Sequence, residues 1–149
     1  MFVHSSLAAR VAHSNTTGKY GFRFCGMKVF DPVANAMRKY HTQYGWNATT
    51  DAAMRECLLT FFGPVVGQLD VFLAQLRAVK AAMTGSRWHL VASSILFIYD
   101  ADDASMTPPR AVMIDFAHSK RTDTDDTGYI TGVENLIGFL ASLRPQCQQ

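Results

Sequence analysis

The sequence predicts an α+β fold with antiparallel strands packed against helices. Three observations predict it. Apolar β-rich runs near residues 20–31, 87–100 and 111–119 read as strands. Between the first two lie segments with helical spacing of apolar residues, and a further helical segment closes the chain. Strands and helices are grouped along the chain, which favours antiparallel pairing over a repeated βαβ unit.

The first strand is expected over residues 20–31, "YGFRFCGMKVFD", ending at the turn-forming Asp31-Pro32 pair. Residues 32–48 are irregular, aromatic and basic, and are expected to form a loop or short helical pieces. Thr49 and Thr50 can cap a helix over residues 51–63, stopped by Gly63-Pro64. A second helix is expected over residues 64–85, where Val65, Leu69, Phe72, Leu73, Leu76, Val79 and Met83 share one face as core. "RWHLVASSILFIYD" and "AVMIDFAHS" then read as an antiparallel hairpin around a polar, Pro-containing loop. After an acidic loop at residues 122–127, Thr131 and Glu134 have capping-box spacing for a last helix. Val133, Leu136, Ile137, Leu140 and Leu143 make its buried stripe.

The chain has 149 residues, 48% hydrophobic and 17% charged, which supports one domain with a real core. A formal net charge of +2 argues against nucleic-acid binding through a massed basic field. No apolar run approaches the roughly 20 residues of a membrane span, and no secretory h-region opens the chain. Cys25, Cys57 and Cys147 are odd in number and widely spaced, so free thiols in a reducing compartment are expected. The first thirty residues are Ser/Thr-rich and carry no acid, a composition shared with organelle transit peptides. A flexible start, or the stub of a truncated domain, is the expectation for residues 1–16, with residues 145–149 as a tail.

Several chemistries are excluded by pattern. There is no GxxxxGK[ST], GxGxxG, GxSxG or HExxH, which removes the P-loop, the dinucleotide fingerprint and the commonest hydrolase signals. The hairpin is what remains. In "AVMIDFAH", strict alternation would put Val112, Ile114 and Phe116 on one face and Met113, Asp115 and Ala117 on the other. Asp115 either caps a turn or holds a metal ion, with His118 just beyond it. Ser93 and Ser94 interrupt the partner strand with two hydroxyls, which either bond backbone or face a ligand.

Taken together, "SSILFIYD", "VMIDFAHS" and "GYITGVENLI" are similar to the SSLL, IDF and GY-x-x-G-x-ENLI segments of the inositol polyphosphate kinase family. "GFRFCGMKVF" resembles the strand that precedes them, and "RKYHTQYGWNAT" with "FFGPVVGQLDVFLAQLRAVKAAM" resembles the hexakisphosphate kinase branch more than the multikinases. The resemblance runs from Thr17 to Leu143. It implies residues 17–144 as the C-terminal lobe of a two-lobed, protein-kinase-like fold that binds ATP in its cleft and inositol phosphates beside it. On matching positions it implies that Asp115 holds Mg2+ against the ATP phosphates, with Ser93 and Ser94 near the reacting groups. It also implies that His118 and Arg23 contact substrate phosphates, with Lys39 and Tyr40 in a basic segment of less defined role. Lys120 and Arg121 either attract the polyanion or belong to a solvated loop.

The family signature PxxxDxKxG and the nucleotide-holding lysine of the other lobe do not occur. The resemblance therefore implies ATP- and Mg-dependent phosphoryl transfer to inositol phosphates for a complete form. The alternative is a catalytically inactive lobe whose cleft face is covered by a missing N-lobe or a protein partner. The family setting, cytoplasm or nucleus, is the expected location.

Overall fold

A computed structural model describes residues 1–4, 15–100 and 107–144. Among the described residues, seven strands and five α-helices follow in chain order: β1 (Phe2–His4), α1 (Asn15–Tyr20), β2 (Arg23–Asp31), β3 (Ala36–Tyr40), α2 (Thr42–Trp46), α3 (Asp51–Phe62), α4 (Leu69–Met83), β4 (Trp88–Val91), β5 (Ser94–Ile98), β6 (Arg110–Ile114), β7 (His118–Arg121) and α5 (Thr127–Ser142). Five strands form one sheet in the order β3-β2-β1-β5-β6, antiparallel throughout, while β4 and β7 form a second, two-stranded sheet. The α+β expectation holds.

The chain start departs from expectation. Phe2–His4, assigned to a flexible start, form a central strand between β2 and β5. Residues 5–14 of that segment, and the tail at 145–149, lie outside the described residues. A three-residue apolar stretch has no periodicity to read, and only the two neighbouring strands define it.

Residues 32–48 form more regular structure than their composition suggests. Asp31 accepts bonds from the backbone N–H groups of Val33 and Ala34 (3.0 and 3.1 Å) and pairs with Arg38 at 2.8 Å. That side-chain-built turn, with Asn35 at φ +48°, folds β3 back onto β2. The expected short helical piece is α2.

The Thr50 cap is present, its Oγ1 accepting from Ala53 N at 3.2 Å. Gly63-Pro64 does not end the helical path, however. A 3-10 segment at Gly63–Gln68 joins α3 to α4, with a kink at Val65 (φ −125°), so the second helix starts at Leu69. The whole stretch Asp51–Met83 is long and apolar enough to cross a membrane, contrary to the expectation that no such run exists. Its apolar residues are instead the core. Met54, Leu58, Phe62, Phe72, Leu73 and Leu76 are fully buried, and Phe62, Phe72 and Phe97 form a triangle with ring centroids 5.2–5.6 Å apart. Each such aromatic contributes about 1.5–3 kcal/mol by leaving water.

The last helix also starts earlier than the capping-box reading placed it. Asp126 is its N-cap, accepting from Tyr129 N at 3.0 Å, and Thr131 lies exposed within the helix. Its partner Asp125 accepts from Gly85 N (2.7 Å) and Arg87 N (3.3 Å). These loop acids therefore bind backbone N–H groups of neighbouring segments, which local spacing does not reveal.

Candidate functional site

The expected hairpin is one long ladder with a break in it. Ser94 pairs with Ile114 and Ile98 with Arg110 on one side of the break, and Val91 pairs with His118 on the other. Two residues, Ala92 and Ser93, thus stand against three, Asp115 to Ala117, as in a β-bulge. Ala92 and Asp115 both adopt left-handed backbone, φ +60° and +65°. Non-glycine residues rarely do so, and such positions cluster at functional sites.

The break corrects the alternation argument. Across the sheet, Arg23, His4, Ser94 and Ile114 lie in one paired row, and Phe24, Val3, Ile95 and Met113 in the next. Paired residues share a face. Phe24, Val3 and Ile95 are buried, so the Arg23 row faces away from the helices. Alternation stops at Ile114, and Asp115 is exposed, so it does not continue the core-facing row of Met113.

The topology therefore brings Arg23, Ser93, Ser94 and Asp115 to one end of the five-stranded sheet, with His118 just past the break. Two buried polar atoms there have no hydrogen-bond partner among the described residues: Arg23 Nε and Ser93 Oγ. Buried polar groups are almost always satisfied, so orphaned groups at the same end of the sheet as an exposed carboxylate mark a place where a polar ligand fits. Ser93 is fully buried and Ser94 nearly so. Asp115 makes no ion pair among the described residues. Sequence reasoning missed one contributor. Ser119 Oγ is another buried hydroxyl without a partner among the described residues. It carried no motif.

Asp115 suits a hard cation. Mg2+ is commonly held by one or two carboxylates with phosphate and water completing its shell. Among the described residues no group of three His, Cys, Asp or Glu side chains forms a cage, so other ligands would have to come from phosphate oxygens or water.

Lys39 is not brought to this corner. It pairs with Lys28 on β2, on the order of 15 Å along the strands from Arg23. Both lysines line a cavity of about 1150 Å³ with Met27, Phe30, Phe97 and Ile98. Tyr99, also on its wall, is held protonated because burial pushes its phenol up, and it donates to Phe61 O at 2.8 Å. Lys120 and Arg121 are exposed on β7.

The family model for inositol polyphosphate kinase matches residues 5–141. The chain belongs to the inositol polyphosphate kinase family. It is 33% identical over 144 residues to the inositol polyphosphate multikinase of Schizosaccharomyces pombe, covering 89% of this chain and 53% of that protein. To mouse inositol hexakisphosphate kinase 3 it is 26% identical over 164 residues, covering 87% of this chain and 40% of that protein. The chain thus spans about half or less of these curated relatives. Both branches match, so the identities do not single out the hexakisphosphate kinases. Among solved structures, inositol phosphate multikinase Ipk2 of S. cerevisiae, in complex with ADP and Mn2+, superposes with a TM-score of 0.76 at 22% identity. That match covers 95% of this chain and 76% of Ipk2. A second inositol phosphate multikinase structure gives 0.79 at 21% identity, covering 96% and 78%. These two structures share the fold of this chain.

Proposed function

We propose that this chain forms one wall of an ATP-dependent inositol phosphate kinase site, with its phosphate-handling corner at the Asp115 break. The observation that carries the reading is two orphaned buried groups at this end of the sheet: Ser93 Oγ, on the strand opposite the exposed Asp115, and Arg23 Nε, on β2 across the same end. Arg23 donates to the phosphates of an inositol polyphosphate, and its fixed planar fork suits that geometry. Ser93 and Ser94 donate hydroxyls toward the phosphates at the transfer point, and His118 meets the substrate from beyond the break. Asp115 would hold Mg2+, whose role when bound is to neutralise charge on the transferring phosphoryl group. The aromatic base lies along the sheet in the apolar cavity, with the triphosphate reaching back to the corner. An extended nucleotide spans a separation of that order.

Titration calorimetry with ATP and Mn2+, and separately with inositol hexakisphosphate, tests the reading. Asp115→Asn is expected to remove the metal dependence of ATP binding and leave the inositol phosphate isotherm unchanged. Arg23→Gln is expected to weaken inositol hexakisphosphate about tenfold while sparing ATP. Metal-dependent ATP binding that survives Asp115→Asn overturns the assignment of Asp115.

A second reading is a lobe that binds a partner over its cavity face without transferring phosphate. Exposed Phe30, Met37 and Ile98 support a partner, or another lobe, over the cavity face. Magnesium-dependent phosphorylation of an inositol phosphate by this chain alone, above background, would sink it. An intracellular setting, cytoplasm or nucleus, belongs to the same proposal and is supported by the buried free thiol of Cys57. Imaging of the tagged chain in its own cells tests it.

A further inference from the structure

We infer that Asn135 is a positioning residue for Arg23, and that helix α5 sets the separation between Arg23 and the Asp115 break. The inference rests on the phosphate-handling reading and gives the "ENLI" segment a physical task.

Asn135 Nδ2 donates to Tyr20 O at 2.9 Å, across 115 residues of sequence. Gly21, the next residue, is left-handed at φ +73°, and a Cβ there would lie 2.8 Å from Gly132 Cα and 2.9 Å from Gly132 N. Backbone therefore rests on backbone. Phe139 closes the contact with edge-on rings against Tyr20 (5.3 Å) and Phe22 (6.2 Å). Gly132, Asn135 and Phe139 fall on one face of α5 at i, i+3 and i+7 spacing. Gly21 N also donates back to Thr17 O at 2.9 Å, ending α1 where β2 must begin. Arg23 follows two residues later, so its start point is fixed from three directions.

The same helix holds the other wall. Asp126, its N-cap, uses one carboxylate oxygen on Tyr129 N and the other on Leu90 N, each at 3.0 Å. Leu90 lies in β4, two residues before the strained Ala92. From Asp126 to Asn135 a rigid helix spans about 13 Å. Both sides of the corner are thereby tied to one rod. Small misplacements of a positioning contact are costly, because a shift of about 1 Å can lower a rate a hundredfold.

Asn135→Asp tests this with no change in volume, since a carboxylate cannot donate to Tyr20 O. Hydrogen exchange by mass spectrometry is expected to show about tenfold faster exchange over residues 20–24, with residues 95–97 unchanged. Equal protection in both regions overturns the clamp, whatever the ligand. In calorimetry with inositol hexakisphosphate, Asn135→Asp is expected to weaken binding about tenfold, with no further loss when added to Arg23→Gln. Additive losses, or an unchanged affinity, overturn positioning through Arg23. If Arg23→Gln alone leaves affinity unchanged, the ligand reading fails while the exchange result still decides the clamp. Asn135→Gln keeps an amide donor and is expected to restore both readouts to within about threefold. Where Asn135→Asp does not fold, Asn135→Ser, too short to reach Tyr20 O, carries the same comparison.

Discussion

Ala92 and Asp115 lie on the two strands of the break in the long hairpin, each next to one of its flanking ladders, and both carry left-handed backbone, at φ +60° and +65°. A β-carbon in that region costs roughly 1–2 kcal/mol, less for Asp, whose short polar side chain tolerates it. The break is therefore maintained against local preference by the two ladders that flank it. Ala92→Gly is expected to raise stability by about 1 kcal/mol, read as a higher urea midpoint at unchanged slope. Asp115→Asn is expected to leave the midpoint within about 0.5 kcal/mol, because Asn also tolerates this region. A large loss in Asp115→Asn would show that the carboxylate supports the fold itself.

Asp126 separates two structural tasks. Asp126→Ala removes the helix cap, worth about 1 kcal/mol, and leaves the buried Leu90 N–H unpaired, at about 1–3 kcal/mol more. Asp126→Asn keeps an oxygen acceptor and a good cap, so about 1 kcal/mol or less is expected. Equal losses in urea unfolding would mean that charge, not hydrogen bonding, carries the effect.

Gly21→Ala places a Cβ 2.8 Å from Gly132 Cα at a left-handed position. The strain of that backbone and the overpacking together are expected to cost on the order of 2–5 kcal/mol. Gly85→Ala is the control. It shares the positive φ, +77°, but has open space around it, so only the backbone cost of about 1–2 kcal/mol is expected. Equal effects at the two glycines would remove the close-packing argument.

Stability should fall on both sides of neutrality. Asp51 is held below the usual carboxylate range by hydrogen bonds from Lys19 and then Tyr20, and Asp31 by the Ala34 backbone first. Depressed carboxylates contribute stability that is complete above their unfolded value of about 4 and lost as pH falls through the folded values. Burial pushes the Cys57 thiol and the Tyr99 phenol up. Groups raised in this way favour their neutral forms. Their contribution is complete below the unfolded values, about 8.5 for Cys and 10 for Tyr, and is lost as pH rises beyond them. The carboxylates thus lower the urea midpoint below about pH 4 and the buried thiol and phenol lower it above about pH 8.5, while the Met1 amine, pushed down to about 5 by burial, makes it rise from about pH 5 to 8. A midpoint unchanged up to about pH 10 would show that these groups are not protonated by burial.

The α3 and α4 core faces were legible because helical spacing is a local signal and tertiary packing agreed with it. Strands β2, β5 and β6 were legible for the same reason. Strand β1 was not, since three residues carry no period and their partners lie about 20 and 90 residues away. The start of α5 was misplaced because two capping patterns lay five residues apart, and only the Leu90 bond selects Asp126 over Thr131. Of the site residues, Arg23, Ser93, Ser94 and Asp115 converge at one sheet end, while Lys39 lies at the other.

The sequence by itself determined the fold class, the helical core faces and, through its spaced motifs, the family. It also marked Asp115 as unusual, because an acid between Ile114 and Phe116 breaks an apolar run. Only the tertiary structure decided how Asp115 is presented. Side-chain alternation is a property of unbroken strands, and the break in the hairpin depends on register between segments distant in sequence. That register turns Asp115 outward into a left-handed position opposite the serine pair, at the sheet end that also holds Arg23, which no local rule could specify.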